Sequence, residues 1–171
     1  RRGIGCCDNS DTDSRERHWM GYEMRHFEES EFQGWFESMS PQLLALLDAL
    51  RELWGAPIFI SSANGAVGRT SGGGYHDFIV QGEVRAVDIQ PSGLDDAKKV
   101  REFFTLAKSL GFTGIGFYPQ WNRAGFHIDV RPTGALATWG AYYVINEKGE
   151  KEQLYCSLAE AIADYERMTK A

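Results

Sequence analysis

The chain has 171 residues, 43% hydrophobic and 25% charged, the make-up of one ordinary globular domain with room for a real core. Its net charge is −6 and its basic residues are scattered beside acids, which argues against a phosphate-binding surface and hence against nucleic acid. No apolar run approaches the roughly 20 residues that a membrane span requires.

Residues 1–20 are polar, charged and without apolar periodicity, so they read as a mobile arm ahead of a single domain over 21–171. The chain opens on Arg1, not methionine, which reads as a processed product or one lacking its natural start. Without an apolar leader stretch, the N-terminus carries no message about localisation. Cys6, Cys7 and Cys156 are an odd set with a vicinal pair, which fits neither a disulfide framework nor a zinc ribbon. Reduced thiols are expected, with one bridge from the N-terminal pair to Cys156 as the alternative.

Order is expected to begin near Tyr22–Phe32. Ser40 and Pro41 then start a helix whose Leu43, Leu46, Leu47, Leu50 and Trp54 share one face. Gly55 ends it and Pro57 blocks continuation. "PIFISSA" at 57–63 reads as a short buried strand. The loop "NGAVGRTSGGGYHDF" follows, with five glycines but no Gly-Lys-Ser/Thr, so it is not a phosphate-cradling P-loop.

"VRAVDIQ" at 84–90 alternates as a half-buried strand does. Ser92–Leu110 is the clearest helix: Asp95 and Asp96 in its first turn and Lys108 in its last complement the macrodipole. Val100, Phe103, Phe104, Ala107 and Leu110 form its buried stripe, and Gly111 stops it. Strands are predicted at 114–118 and 126–131, and "NEKG" joins 139–145 to 150–156 as a hairpin. A last helix starts at Ser157 with Glu160 completing a capping box, and buries Leu158, Ile162 and Tyr165. Helices and antiparallel strands in this irregular order predict an α+β fold.

Chemistry gathers at His76, Asp88 and His127. His127 lies mid-strand, and Asp129 two residues on shares its face. Asp88 belongs to another strand, and His76 closes the glycine loop before it. Two neighbouring strands and one loop end bring three side chains to one point, and three such ligands leave a fourth zinc position for water. Taken alone, a strand histidine is more often a surface or satisfied core residue.

The run "HFEESEF", the helix ending "LLDALRELWGAPIFISS", then "YH…AVDI", "GIGFYP" and "FHIDVRPTG" resembles the phage-type branch of the M15 peptidases over residues 22–134. These are zinc D-Ala-D-Ala carboxypeptidases and related peptidoglycan endopeptidases. The resemblance implies an α+β, hedgehog-like fold whose antiparallel sheet carries zinc on His76, Asp88 and His127 and packs against helices. It implies hydrolysis of peptide bonds in bacterial cell-wall stem peptides, by a monomer in a periplasmic, extracellular or phage-associated setting. It also matches Arg69 to the arginine that receives a carboxylate or oxyanion, the alternative being an ordinary loop arginine.

Two departures stand out. The family spacing His-x-x-Gly-x-Ala-x-Asp is stretched here by an insertion around "FIVQGEV", which makes Asp77 and Glu83 rivals to Asp88 as third ligand. Relatives also carry an acid or histidine two or three residues before the last histidine, where this chain has Gly125 and Ala124. Asp129 and Glu83 are then the candidates to manage protons, although Asp129 is as well suited to orienting a ligand imidazole. Tyr75, Tyr118 and Trp121 flank the ligand segments as groove wall or core. The missing acid supports a second reading, a non-catalytic, metal-stabilised binding module of the same fold.

Overall fold

The computed structural model describes residues 24–170. The expected arm over 1–20, with Cys6 and Cys7, lies outside the described residues. Helix α1 spans Pro41–Trp54, with Pro41 in its first turn and Gly55 at φ 69° as its left-handed stop. Buried Asp48 on α1 accepts the backbone amides of Arg25 (3.2 Å) and His26 (2.9 Å), tying the start of the described chain to the helix.

Strand β1 (Ile58–Ile60) follows, then the glycine loop, a one-turn helix α2 (Phe78–Gln81) and strand β2 (Ala86–Pro91). The "FIVQGEV" insertion is therefore structured. Asp77 caps α2, accepting from the amides of Ile79 (3.0 Å) and Val80 (3.3 Å), and Gly82 at φ 74° ends the turn. Helix α3 runs Ala97–Leu110, shorter than the sequence suggested, because the Asp96 side chain accepts from the Lys99 amide at 2.8 Å. Asp96 is thus the N-cap, and Asp95 precedes the helix instead of sitting in its first turn.

Strands β3 (Gly114–Tyr118), β4 (Gly125–Asp129), β5 (Ala137–Ile145) and β6 (Lys151–Cys156) precede helix α4 (Leu158–Lys170). They form one six-stranded sheet in the order β1-β2-β4-β3-β5-β6. Every pairing is antiparallel except β3 with β5, which is parallel. The reason is topological: the chain leaves β4, crosses the end of β3 and enters β5 running against β4, hence along β3. α4 opens with the expected box, the Ser157 amide and hydroxyl meeting Glu160 Oε2 at 2.8 and 2.7 Å.

The period of two divides the central strands between two faces. Ile115, Phe117, Phe126 and Ile128 are fully buried in the core. Phe126 stacks on Phe103 of α3 at 4.8 Å, and Phe117 meets Tyr165 of α4 edge-on at 5.5 Å. The opposite face carries two cross-strand rows, Asp88–His127–Gly116–Trp139 and Ala86–Asp129–Gly114–Ala137. No helix among the described residues is long and apolar enough to cross a membrane.

Candidate metal centre

His127 and Asp88 are direct cross-strand partners on β4 and β2, and strand geometry alone sets their side chains together. His76 arrives from the glycine loop, which pairs with the sheet through the Asp88 amide to the Ala66 carbonyl (2.8 Å) and closes on itself through the Arg69 amide to the His76 carbonyl (3.0 Å). His76 Nε2 lies 3.0 Å from His127 Nδ1 and 3.4 Å from Asp88 Oδ1, and His127 Nδ1 lies 3.1 Å from that same oxygen. His76 is buried, and the other two are partly so.

The far side of each imidazole fixes what the near side offers. His76 Nδ1 sits 2.7 Å from the Val67 carbonyl oxygen, so it carries the hydrogen and leaves a lone pair on Nε2. His127 Nε2 sits 3.1 Å from Asp129 Oδ2, so it donates there and leaves its lone pair on Nδ1. Two lone pairs and a carboxylate oxygen therefore face one another, a repulsive set unless a cation or proton lies among them. Tetrahedral zinc with bonds of about 2.0–2.1 Å separates its ligand atoms by about 3.3 Å. The residues present fit zinc.

Electrostatics agree. Burial raises the Asp88 carboxyl, but hydrogen bonds and charge from His127 and His76 outweigh it and hold the group at about 2. Burial lowers His127, yet Asp129 and Asp88 overcome this and lift the imidazole to about 9. A proton and a metal ion thus compete for the same nitrogen.

Asp129 is fully buried behind His127 and does not open to the cavity. Its carboxylate accepts from Arg131 Nε (2.9 Å), Arg131 Nη2 (2.5 Å) and the Arg131 amide (3.1 Å). Against the rise that burial imposes, Arg131 and His127 hold it at about 2. The Arg131 guanidinium lies over the rings of Tyr75 (4.8 Å) and Trp139 (5.3 Å), which fix it from two sides. Room for these groups comes from missing side chains: a Cβ on Gly114 would overlap the Asp129 carboxylate, and one on Gly116 the Trp139 ring.

The cluster forms the floor of an open cavity of about 640 Å³, whose walls include Arg69, Tyr75, Tyr118, Trp121 and Trp139. Arg69 Nη2 donates to the Gly73 carbonyl at 3.0 Å, and its Nε is buried without a hydrogen-bond partner among the described residues. Tyr118 accepts from Trp139 Nε1 at 2.9 Å and stacks on Trp121 at 4.3 Å. Its hydroxyl also shares a hydrogen bond with Tyr155 across the cavity. Burial, with the nearby Tyr155 and the charge of Asp88, pushes its pKa up and keeps it protonated.

Of the residues singled out from sequence, His76, Asp88, His127, Arg69, Tyr75, Tyr118 and Trp121 meet at this cavity. Asp77 is occupied as a helix cap. Glu83 pairs with Arg85 at 2.6 Å and is not among the cavity residues. Arg131, Trp139, Gln153 and Tyr155 also line the cavity and were not anticipated. Arg131 was within reach of the period-of-two rule, two residues past Asp129 and four past His127. Trp139 gave no such signal, because only the parallel β3–β5 pairing brings it over Gly116.

A family model described as Peptidase M15 matches residues 18–129, a span that takes in His76, Asp88 and His127. No curated protein and no solved structure matches the chain.

Proposed function

The chain belongs to the M15 peptidase family, and we propose that it is a zinc-dependent metallopeptidase hydrolysing peptide bonds in bacterial cell-wall stem peptides. The observation that carries this reading is the convergence of His76 Nε2, His127 Nδ1 and Asp88 Oδ1, all as acceptors, on the floor of an open cavity. These three residues would hold the zinc, which when bound polarises a carbonyl and lowers the pKa of a water.

The chain's own residues supply the rest. Asp129, clamped by Arg131, fixes the ring orientation and tautomer of His127 and acts through that ligand. Arg69 offers its guanidinium to the substrate as a partner for an oxyanion or carboxylate. Tyr118, whose oxygen already accepts from Trp139, would turn its proton from Tyr155 to the developing oxyanion or the leaving amine when substrate enters. Tyr75 and Trp139 wall the site and keep Arg131 from turning toward solvent.

The second reading, a metal-stabilised binding module, draws on one observation: Asp88 is the only carboxylate among the described residues lining the cavity. Incubating zinc-loaded protein with purified peptidoglycan separates the two. Release of peptide fragments or amino acids, abolished by His127→Ala, supports the peptidase. Retention of the polymer with no release under zinc, cobalt or manganese supports the binding module.

A further inference from the structure

A second cavity of about 290 Å³ adjoins the first, and Asp88 and Trp121 line both. Arg69 belongs to the larger cavity; the cation of the smaller one is Lys151. The Lys151 ammonium rests over the Tyr143 ring at 3.9 Å and makes no ion pair among the described residues. Beside it the cavity is lined by Ser61, Gln90, Gln120 and Asn122.

What each of these offers a ligand follows from what it has already spent. Asn122 Oδ1 accepts from the Arg123 amide at 2.9 Å and from Gln90 Nε2 at 2.7 Å. Gln120 Oε1 accepts from the Tyr143 amide. A backbone N–H can only donate, so these contacts fix which end of each side-chain amide is the oxygen. Ser61 Oγ accepts from the Ala63 amide at 3.3 Å. The Asn122 and Gln120 NH₂ groups and the Ser61 hydroxyl hydrogen thus have no acceptor among the described residues. Gln90 is the reverse: its Nε2 is spent on Asn122 and on the Arg123 carbonyl at 3.3 Å, which leaves Oε1 to accept.

This inventory is lopsided. A sugar hydroxyl or a neutral amide both gives and takes hydrogen bonds, and a wall built for one balances donors against acceptors. Here an unpaired cation stands among unspent donors, which suits a group that only accepts, and a carboxylate does so through both oxygens. The Asp88 charge in the same wall is turned to the imidazoles, with Oδ1 at 3.1 Å from His127 and 3.4 Å from His76. We infer that the smaller cavity is a carboxylate subsite, separate from Arg69, so that the peptide taken by this centre is acidic. One carboxylate goes to Arg69 and another to Lys151, Asn122, Gln120 and Ser61, with Gln90 Oε1 accepting the N–H beside it. The subsite stands on the donor inventory alone; the acidic peptide as substrate rests on the peptidase reading.

The test titrates the 15N-labelled, zinc-loaded full chain with N-acetylglycine and with its uncharged amide, followed by NMR. The side-chain NH₂ signals of Asn122 and Gln120 report the smaller cavity, and Arg69 Nε–H reports the larger. The acid is expected to shift the Asn122 and Gln120 signals and to bind there about 10-fold more tightly than the amide. Lys151→Gln should reduce that preference to about twofold or less and leave the Arg69 response unchanged. Shifts at Arg69 with none at Asn122 and Gln120, or equal affinity for acid and amide, overturn the subsite. For turnover, each carboxylate of a cleaved peptide is replaced in turn by carboxamide. Replacing the one held in the smaller cavity should raise KM about 10-fold with kcat within about twofold, and Lys151→Gln should erase that difference. A KM that Lys151→Gln does not move overturns the acidic substrate. Absence of hydrolysis with any peptide, while the Asn122 and Gln120 signals still shift, defeats the peptidase reading and leaves the subsite standing.

Discussion

Asp129→Asn isolates the part played by the group behind His127. The amide keeps the shape of the carboxylate and removes its charge, which faces His127 Nε2 at 3.1 Å and Arg131 Nη2 at 2.5 Å. Removing such a partner weakens zinc binding by about 10- to 100-fold, or about 1.4–2.7 kcal/mol. The same carboxylate also raises the proton affinity of His127, whose pKa stands at about 9 against an ordinary 6.5. In the wild type at pH 7, proton competition therefore lowers apparent zinc affinity by about 100-fold, and at pH 9 by only about twofold. In the variant, burial pulls the imidazole back down and the proton competes far less. The ratio of variant to wild-type Kd should thus be largest near pH 9, about 10- to 100-fold, and narrow as the pH falls to 7. Zinc titrations against a chromophoric chelator at pH 7, 8 and 9, with circular dichroism to confirm folding, measure it. A ratio that stays flat with pH, or a loss below about twofold at pH 9, refutes the reasoning.

Zinc-free protein should be most stable between about pH 4 and 6.5. Asp88 and Asp129, held at about 2 against an ordinary 3.8, contribute stability that is lost as the pH falls through the lower value. His127, lifted to about 9, contributes stability that is present below 6.5 and lost as the pH rises through 9. Urea midpoints across this range test both limbs, and zinc loading should abolish the alkaline one; its persistence would contradict the competition at Nδ1. Arg131→Ala leaves a buried carboxylate short of its main partner and should cost about 1–3 kcal/mol by thermal melting, with Arg131→Lys failing to restore it because the two-pronged fork is lost. Gly116→Ala should expel the Trp139 ring and cost about 1–3 kcal/mol; unchanged tryptophan fluorescence and melting temperature would contradict the packing seen there. Tyr118→Phe should lower kcat with little change in zinc affinity, and an unaltered kcat removes the hydroxyl from the chemistry.

Much of this was readable from the chain because local rules governed it. The stop at Gly55, the box of Ser157 with Glu160 and the strand Gly114–Tyr118 each follow from side-chain type and period, and each is present. His127 and Asp88 were placed on separate strands, and the register sets them opposite each other. What was not readable depended on long-range pairing. The single parallel step between β3 and β5 delivers Trp139, and through it Arg131 and Tyr118 acquire their partners. Asp96 was placed inside the helix and not at its cap because a cap and a first-turn acid look alike in sequence. Arg85, two residues into "VRAVDIQ" by sequence, proved decisive for Glu83 by drawing it into an ion pair.

The metal ligands and the cleft wall occupy regions of different compliance. Asp88 and His127 are held on strands flanked on both sides, whereas β6 is one of the two edge strands and pairs only with β5. Amide exchange should therefore begin along β6 while β2 and β4 stay protected. That division sets Gln153 and Tyr155 on a compliant wall of the cavity while the metal-ligand candidates stay on rigid strands. An edge strand, ordinarily a hazard to be blunted by charge, here becomes the adjustable jaw of the molecule.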